Sequence, residues 1–411
     1  MNRYYCRFCH SPLHVTFVDL GMSPLCESYV TADQCNRMEA FYPLHVYVCD
    51  QCFLVQLLEY VSPRQIFSEY AYFSSYSTTW LQHAKAYTEM AVHRFGLSRR
   101  SQVIEIASND GYLLQYFVAQ EVPVLGIEPA ANVAAVATQK GIPTVVKFFG
   151  TQTAHELAHE GTQADLLLGN NVLAHVPDIN DFVAGMKILL KPQGVITMEF
   201  PHLLRLMQEN QFDTIYHEHF SYLSFSTTAK IFAAHGLTLF DVEELPTHGG
   251  SLRIYARHAD QPTLVVEPRV TQLQQQEEAA GLTCIDQYRT FTDKVQETKR
   301  NLLEFLITAK RQGKTIVGYG APGKGNTLLN YCGVRTDFLE YVVDRSPYKQ
   351  GKFLPGTHIP IFAPERIAET KPDYVLILPW NLKHEVMQQM SQVRQWGGQF
   401  VVPIPTVEIY S

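Results

Sequence analysis

The sequence is organised around residues 103–112, which read Val103-Ile104-Glu105-Ile106-Ala107-Ser108-Asn109-Asp110-Gly111-Tyr112. This apolar run stops at a polar, glycine-containing turn before Leu113-Leu114 resumes the apolar pattern, which predicts a strand, a tight loop and the start of a helix. Such a loop brings backbone N–H groups and a helix N-terminus close to a ligand. About 20 residues downstream, Glu128 follows the apolar residues of a second predicted strand, where an acid binds ribose hydroxyls.

The loop departs from the G-x-G-x-x-G pattern of dinucleotide folds, because Ala107 and Asn109 stand where that pattern has glycines. A pyrophosphate would fit poorly against these side chains. The turn therefore predicts a site for a smaller ligand that contains adenosine. The alternative is a βα turn with a purely structural role, because turns that contain Asp-Gly are frequent.

Length and composition describe an ordinary globular protein of two or three domains. Of the 411 residues, 46% are hydrophobic and 18% are charged. No apolar run reaches the roughly 18 residues of a membrane span, and Met1–Cys6 does not have the pattern of a signal peptide. A formal charge of -7 argues against binding along a phosphate backbone. We therefore expect a cytoplasmic protein without a membrane or nucleic-acid partner.

Two C-x-x-C knuckles predict a structural zinc site, formed by Cys6, Cys9, Cys49 and Cys52. Four thiolates complete the tetrahedral shell of one zinc ion, which leaves no open position for catalysis. The gap between the knuckles is long, so a hairpin or two must be inserted there. Disulfides are the alternative, and His10 or His45 could replace a cysteine that proves uninvolved.

Residues 102–257 alternate between strand and helix patterns. Strands are predicted near residues 102–107, 123–128, 143–147, 164–169 and 194–200, followed by a hairpin of residues 237–244 and 251–255. Parallel sheets of this kind bind ligands at the carboxyl ends of their strands. We therefore expect Asn171 and His175, which follow the fourth strand, to face the ligand. A capping or core histidine is the alternative for His175.

The densest group of polar side chains follows the fifth strand and reads Tyr216-His217-Glu218-His219-Phe220-Ser221-Tyr222. A zinc site of the H-E-x-x-H type is excluded, because histidines two residues apart do not share a helix face. Acid–base chemistry fits better, since a histidine with a pKa of about 6.5 is a competent base at neutral pH. A neighbouring Glu can orient that base, and a Tyr can stabilise a developing oxyanion. A polar loop with surface histidines is the alternative.

Two further segments have more than one interpretation. Aromatic and hydroxyl side chains in residues 70–77, before a helix predicted from Thr78 to about Phe95, either line a pocket or pack under a loop. A pair of polar linker helices predicted over 267–314 leads to a second α/β unit, with later strands at 339–343, 374–378 and 399–402. The Gly-rich turn of that unit, which contains Lys324, either cradles phosphates or serves packing alone.

Taken together, these motifs resemble those of the S-adenosylmethionine (SAM)-dependent C-methyltransferases that act on nucleotide-linked 4-keto-deoxyhexoses. The resemblance covers nearly the whole chain. Its motifs are the four cysteines, Glu105-x-x-x-Asn109-Asp110-Gly111, Asn171-Val172-x-Ala174-His175-x-x-Asp178, Tyr216-x-Glu218-His219, His248-Gly249-Gly250-Ser251-x-Arg253 and Gly318-x-Gly320-Ala321-x-x-Lys324-Gly325.

The resemblance implies an α/β fold with three parts and a sugar nucleotide bound between the middle part and the other two. These parts are a zinc-binding domain over residues 1–70, a class I methyltransferase (Rossmann-like) domain over 71–260, and a helical linker with a second Rossmann-like domain over 261–411. A monomer is expected.

The resemblance also implies roles for individual residues. His219 is the base that removes a proton from the sugar carbon next to the keto group, expected to be C3. Tyr216 and Glu218 assist it, and His175 and Tyr72 line the same pocket. The SAM site comprises Glu105, Ala107, Asn109, Asp110, Gly111, Glu128, Asn170 and Asn171, and the substrate site comprises Tyr76, His248, Gly249, Arg253 and Lys324. Tyr76 stands where this family often has a small residue.

The chemistry of the residues agrees with the resemblance. Deprotonation beside a ketone gives an enolate that can attack a sulfonium methyl group, and this needs one base and one group that stabilises the enolate oxygen. An O- or N-methyltransferase is the alternative enzyme. Such an enzyme often needs little more than proximity of the methyl group to its acceptor, and the Tyr, Glu and His residues of 216–219 would then be superfluous. A zinc-knuckle nucleic-acid adaptor is disfavoured by the acidic charge, and a NAD enzyme built on the C-terminal turn is the last alternative.

Overall fold

The computed structural model describes residues 4–67, 73–261 and 263–411. The strands are β1 Val15–Ser23, β2 Tyr42–Val48, β3 Val55–Leu57, β4 Val103–Ile106, β5 Val124–Ile127, β6 Thr144–Val145, β7 Ala164–Asn170, β8 Leu190–Pro201, β9 Ser221–Tyr222, β10 Leu237–Leu245, β11 Ser251–His258, β12 Ile316–Tyr319, β13 Val342–Val343, β14 Ile361–Phe362, β15 Tyr374–Ile377, β16 Gln399–Val402 and β17 Glu408–Tyr410.

The helices are α1 Pro63–Phe67, α2 Thr78–Phe95, α3 Leu114–Ala119, α4 Ala131–Gln139, α5 Thr151–His159, α6 Ile179–Leu189, α7 Leu203–Gln208, α8 Phe225–Ala234, α9 Pro268–Ala279, α10 Ile285–Arg289, α11 Phe291–Arg311, α12 Gly323–Cys332, α13 Arg366–Thr370 and α14 Lys383–Gln389. The chain divides into two compact units. The first unit comprises Met1–His14, Val48–Leu204 and Glu218–Thr283, and the second comprises Val15–Tyr47, Arg205–His217 and Cys284–Ser411.

A seven-stranded sheet forms the centre of the first unit, in the order β10-β11-β8-β7-β4-β5-β6. Strand β11 is antiparallel to both of its neighbours, β10 and β8, while β8, β7, β4, β5 and β6 pair in parallel. These are the parallel strands and the hairpin that the residue patterns predicted, and together they form the class I methyltransferase sheet that the resemblance implied. Because β4 lies between β5 and β7, the loops after these three strands meet at one edge of the sheet.

Helix α2 covers the middle of this sheet and has the bounds that the sequence predicted. Its N-terminus is capped by Ser77, whose side chain accepts a hydrogen bond from the Trp80 backbone N–H, and Gly96 ends it in the left-handed conformation. Ala84, Tyr87 and Ala91 are spaced three and four residues apart, so they share one face and are buried in the sheet's core cluster. The helix is thereby fixed beside the central strands.

The second unit contains a six-stranded sheet in the order β14-β13-β12-β15-β16-β17, parallel except for the edge strand β17. The prediction of a second Rossmann-like sheet is confirmed. The helix pair expected over 267–314 is instead three helices, because left-handed Gly281 follows the end of α9 and the short α10 precedes α11. In the gap between the cysteine knuckles, β1 and β2 are hydrogen-bonded neighbours.

Within the described residues, no helix combines the length and the hydropathy that crossing a membrane requires.

A buried hydrogen-bonded pair in the first unit predicts a large effect on stability. Glu277 and His202 are almost fully buried, and the Glu277 carboxylate accepts a hydrogen bond of 2.7 Å from His202 Nε2. It also accepts the backbone N–H groups of Phe225 and Ser226 at the N-terminus of α8. Because removal of one partner leaves the other without compensation, we expect Glu277→Gln to lower the free energy of unfolding by about 3 kcal/mol. Denaturant unfolding measures this.

Glu278→Gln is the control for this prediction. Because Glu278 is exposed, we expect this change to leave the free energy of unfolding unchanged. Burial alone would raise the pKa of Glu277, but the hydrogen bond and charge of His202 and the hydrogen bonds from Ser226 lower it. This stabilisation is therefore present above the unfolded-state pKa of about 4.3 and is lost as the pH falls through the lower folded-state pKa. An equal acid sensitivity of wild type and Glu277→Gln would contradict this assignment.

Candidate active site

The loop after β4 is held in an unusual backbone conformation. Ala107, Asn109 and Gly111 all have positive φ angles, of 56°, 50° and 75°. Glycine is required at position 111, because a Cβ there would lie 2.3 Å from Ile142 Cδ1. The left-handed conformation is strained for residues other than glycine, such as Ala107 and Asn109, so contacts with the surrounding structure must stabilise it.

Glu128, at the carboxyl end of β5, fixes this loop. One carboxylate oxygen accepts the backbone N–H of Asn109 and the other accepts that of Ala130, both at 2.9 Å. Burial raises the pKa of Glu128, and these two hydrogen bonds counteract the rise. Each oxygen keeps a second lone pair, so the carboxylate can accept two more hydrogen bonds from ribose hydroxyls.

Several buried polar atoms at this edge of the sheet are left for a ligand. Among the described residues, four of them near the ends of β4 and β7 have no hydrogen-bond partner: Ser108 Oγ, Asp110 Oδ1, Asn170 Nδ2 and Asn171 Oδ1. Buried donors and acceptors are rarely left unsatisfied, because each costs free energy. A ligand that carries both donors and acceptors would satisfy them.

The charge of this edge favours a cation. Burial raises the pKa of Glu105 well above its usual range, the negative charges of Glu128 and Asp110 raise it further, and Tyr112 counteracts them. A positively charged ligand beside these acids would offset their repulsion. These unpaired polar atoms and acids therefore fit SAM, which carries a sulfonium and an ammonium group. Glu105, Asp110 and Glu128 are the acids that would hold it.

A second segment, the Ser74–Tyr76 turn, is bonded to the loop after β4. The backbone N–H of Ser74 donates to Asn109 Oδ1 at 2.9 Å. Lys140 Nζ donates to Ser75 Oγ and to the backbone oxygen of Asp110, both at 2.9 Å, and to Asp110 Oδ2 at 3.2 Å. The Ser74–Tyr76 turn is therefore fastened to the same loop that Glu128 holds.

The residues expected to bind substrate lie in different surroundings. Arg253 is buried and donates to Glu199 at 2.9 Å, while His248 Nε2 lies 3.0 Å from Asn171 Nδ2. Gly249 belongs to the same turn as His248 and has a positive φ of 89°. Tyr76 is 79% exposed. Tyr72 lies outside the described residues.

Lys324, in the second unit, lies in a polar cluster of its own at the start of α12. Its Nζ donates to Asn381 Oδ1 at 2.8 Å and lies 4.5 Å from the centre of the Trp380 ring. Trp380 Nε1 donates to the buried Asp213 at 2.7 Å. Burial raises the pKa of Asp213 to about 7, and the charge of Lys324 counteracts this rise.

Two histidines from separate segments meet in the first unit. His175 ends the short helical turn after β7, and its ring centre lies 4.8 Å from that of His219 in an edge-to-face arrangement. The ring centre of Phe67 lies 5.5 Å from that of His175, and the ring centre of Tyr222 lies 6.3 Å from that of His219. Burial lowers the pKa of His175 well below its usual range, and His219 lowers it further. His175 therefore stays neutral at neutral pH.

The other polar residues of this segment differ in surroundings. His217 belongs to the second unit, where its Nε2 donates to the backbone oxygen of Pro43 at 3.2 Å and its ring lies against Tyr42. Tyr216 is half-buried in the second unit, and Glu218 is buried in the first. Of the two histidines in the segment, His219 is the one that lies beside His175.

The four knuckle cysteines come together in the first unit, and their Sγ atoms all lie within 4.8 Å of one another. Cys6 and Cys52 are 3.6 Å apart, and Cys9 and Cys49 are 3.5 Å apart. Tetrahedral zinc with bonds of about 2.3 Å would separate its sulfur ligands by roughly 3.8 Å, so the thiols fit one zinc ion. Gln56 Nε2 donates to Cys6 Sγ at 3.2 Å and orients that ligand.

Replacement of Glu128 tests the cofactor site. Glu128→Ala removes the acceptor of two ribose hydrogen bonds and releases the Asn109 N–H, so we expect SAM binding to weaken by about 1.5–3 kcal/mol per lost bond. Calorimetric titration with SAM measures this. Glu121→Ala, at an exposed acid in the loop before β5, is the matched control and should bind SAM as wild type does. An unchanged affinity in Glu128→Ala would reject the site.

Families of known proteins match three consecutive parts of the chain. Residues 6–67 match a zinc binding domain, residues 80–242 match a methyltransferase domain, and residues 246–405 match the C-methyltransferase C-terminal domain.

Individual proteins with similar sequences or structures differ in how much of the chain they cover. C-methyltransferase NovU of Streptomyces niveus is 35% identical over 406 residues, which is 99% of this chain and 96% of that protein. The ubiquinone biosynthesis O-methyltransferase of Bartonella bacilliformis is 30% identical over 23% of this chain and 39% of its own length. The structure of magnesium protoporphyrin IX methyltransferase (ChlM) from Synechocystis PCC 6803 with bound SAM is 15% identical, covers 43% of this chain and 78% of that one, and has a TM-score of 0.33.

Proposed function

This chain belongs to the C-methyltransferases that use SAM, and we propose that its substrate is a nucleotide-linked 4-keto-deoxyhexose, methylated at the carbon next to the keto group. C3 is the carbon we propose, and His219 is the proposed base. The motifs that this chain has in common with sugar C-methyltransferases support the substrate class, and the pairing of His219 with His175 is the observation that carries the chemistry.

The need for a base follows from the bond that must form. A carbon that bears hydrogen is not a nucleophile, but loss of a proton beside a ketone gives an enolate. When SAM is bound, its sulfonium supplies an activated methyl group with a good leaving group. The difficult step for the protein is therefore the proton transfer, which needs a base at the substrate carbon and a donor at the keto oxygen.

The surroundings of the two histidines support different roles for them. Because burial holds the pKa of His175 well below its usual range, His175 is a poor proton acceptor at neutral pH. A neutral His175 can still hydrogen-bond to the substrate, and it adds no positive charge that would oppose protonation of His219. His219 is then the member of the pair that takes the proton, with Glu218 of the same unit as its proposed assistant.

The histidine pair lies on the side of the sheet where the cofactor residues are found. The turn that carries His175 directly follows Asn170 and Asn171 at the carboxyl end of β7. The Phe220 backbone N–H donates to the Ala174 oxygen at 2.8 Å, which fixes the His219 segment against that turn. This supports a base and a methyl donor within one site.

Transfer from SAM with a ¹³C-labelled methyl group tests the proposal. The full-length protein is incubated with labelled SAM and a nucleotide-linked 4-keto-6-deoxyhexose, and the product is examined by NMR. We expect the label in a methyl group bonded to carbon, coupled to the ring carbon next to the keto group. A label found only on oxygen or nitrogen would favour an O- or N-methyltransferase and reject the proposal, as would no transfer to any such sugar.

A further inference from the structure

The side-chain amide of Asn171 is bonded at its nitrogen and unsatisfied at its oxygen. Its backbone N–H donates to the Glu199 oxygen at 2.7 Å, and its φ angle of 55° is left-handed. Its Nδ2 lies 3.0 Å from His248 Nε2, but its Oδ1 is buried and has no hydrogen-bond partner among the described residues. This acceptor is therefore available to a donor group of bound SAM.

His248 decides which way the Asn171 amide points. An amide NH₂ group can only donate, so His248 Nε2 must accept and the imidazole proton must be on Nδ1. The Asn171 Oδ1 then lies on the side away from His248. If the His248 ring moved, the amide would lose the hydrogen bond that fixes its orientation.

The His248 conformation is strained and needs support from outside the turn. His248 has a φ angle of 54°, which is costly for a residue other than glycine. Glu199 supplies this support, because its Oε1 accepts a hydrogen bond of 2.9 Å from Thr247 Oγ1. At the end of the turn, the Thr247 backbone oxygen accepts from the Gly250 N–H at 2.8 Å. The Thr247–Gly249 turn is thereby bonded to the fully buried Glu199.

Glu199 is itself rigidly held. His83 Nε2 donates to its carboxylate at 2.8 Å and Arg253 Nη2 donates at 2.9 Å. Burial would raise the pKa of Glu199, but the hydrogen bond from His83 and the charge of Arg253 lower it. The centre of the Trp80 ring lies 5.0 Å from that of His83 and 5.2 Å from that of His248. Trp80 therefore contacts both His83, which binds Glu199, and His248, which binds Asn171.

From these contacts we propose that Glu199 and Thr247 are positioning residues for SAM. They hold the Thr247–Gly249 turn in the conformation in which His248 directs the Asn171 Oδ1 toward a donor group of the cofactor. Both residues act through His248 and Asn171 in this proposal. The proposal concerns cofactor affinity alone, so it does not depend on the identity of the sugar substrate.

Thr247→Val tests the proposal, because it removes the hydroxyl and keeps the shape of the side chain. We expect its dissociation constant for SAM, measured by calorimetry, to rise about tenfold, as for the loss of one hydrogen bond to a charged group. Thr247→Ser keeps the hydroxyl and should bind as wild type does. Thr153→Val is the matched control and should also leave SAM binding unchanged. It removes a hydroxyl from Thr153 on α5, which donates to the backbone oxygen of Phe148.

A double-mutant cycle separates positioning from general destabilisation. If Thr247 acts through Asn171, Thr247→Val should add nothing to the loss in SAM affinity that Asn171→Ala causes. An equal further loss in the Asn171→Ala background overturns the proposal, and so does wild-type affinity in Thr247→Val alone. Should Thr247→Val fail to fold, Thr247→Ala removes the same hydroxyl and the same cycle applies.

Trp80 gives a readout that needs no ligand. Its fluorescence is obtained as the difference between each protein and the same protein with Trp80→Phe. Because Trp80 contacts His248, Thr247→Val should change this difference spectrum, while Thr153→Val and Thr247→Ser should not. An unchanged Trp80 spectrum in Thr247→Val would show that the turn keeps its conformation without the bond to Glu199, which overturns the proposal.

Discussion

His219→Asn is expected to lower the turnover number by on the order of 10²–10⁴-fold while SAM and the sugar nucleotide still bind. Asparagine keeps roughly the size of histidine and some of its hydrogen bonding, but it cannot accept the proton. Steady-state kinetics measure the turnover number, and calorimetry measures binding of both ligands. A variant that retained more than about a tenth of the wild-type turnover would show that His219 is not the base.

Two neighbouring histidines provide matched controls for His219→Asn. His217→Asn changes the same residue type in the same segment, but His217 is bonded to the Pro43 oxygen in the second unit, so we expect turnover close to wild type. His175→Asn should have an intermediate effect, because it removes a neutral pocket residue and not the proton acceptor. A larger loss in His217→Asn or His175→Asn than in His219→Asn would move the base to that residue.

Removal of zinc is expected to unfold the first unit. The four knuckle cysteines lie in two distant parts of the sequence, and the metal joins them through bonds with an apparent free energy of about 10–16 kcal/mol in small zinc domains. We expect metal analysis to find about one zinc per chain. Cys49→Ser, or treatment with a strong chelator, should abolish cooperative thermal unfolding as followed by circular dichroism.

Cys284→Ser is the control for the zinc prediction, because Cys284 is exposed and is not part of the cysteine group. It should leave the zinc content and the unfolding transition unchanged. The closed Cys₄ shell gives the metal no position for substrate, so zinc should affect folding and not the chemical step. A metal-free protein that folds and remains fully active would contradict a structural zinc.

The central sheet was predictable because local patterns and long-range packing agree there. The strand β4, its turn and the acid after β5 all follow from apolar runs that end at polar residues, and the structure joins Glu128 to the Asn109 N–H. Helix α2 has the predicted bounds, and the structure shows Ser77 and Gly96 as its start and stop signals. The two-residue strands β6 and β13 are too short for their residue pattern to fix their ends.

Interactions between residues far apart in sequence were not predictable from local patterns. The pair of His83 and Glu199 is separated by 116 positions, and the bond from Lys140 to Ser75 by 65. No local sequence spacing indicates such pairs. Each of these residues, taken alone, is typical of an ordinary polar position. The role of Lys324 toward a phosphate and the domain bounds at 1–70, 71–260 and 261–411 stay predictions.

The central claim is that the protein removes a proton from carbon before the methyl group is transferred. Its most direct test is exchange of that proton with deuterium from solvent, followed by NMR of a nucleotide-linked 4-keto-6-deoxyhexose in the presence of S-adenosylhomocysteine instead of SAM. Without a methyl donor, only deprotonation and reprotonation can occur. We predict rapid exchange at C3 with the wild-type protein and with His217→Asn, and slow exchange with His219→Asn. Exchange that is equally fast in His219→Asn, or absent in the wild type, would contradict the account.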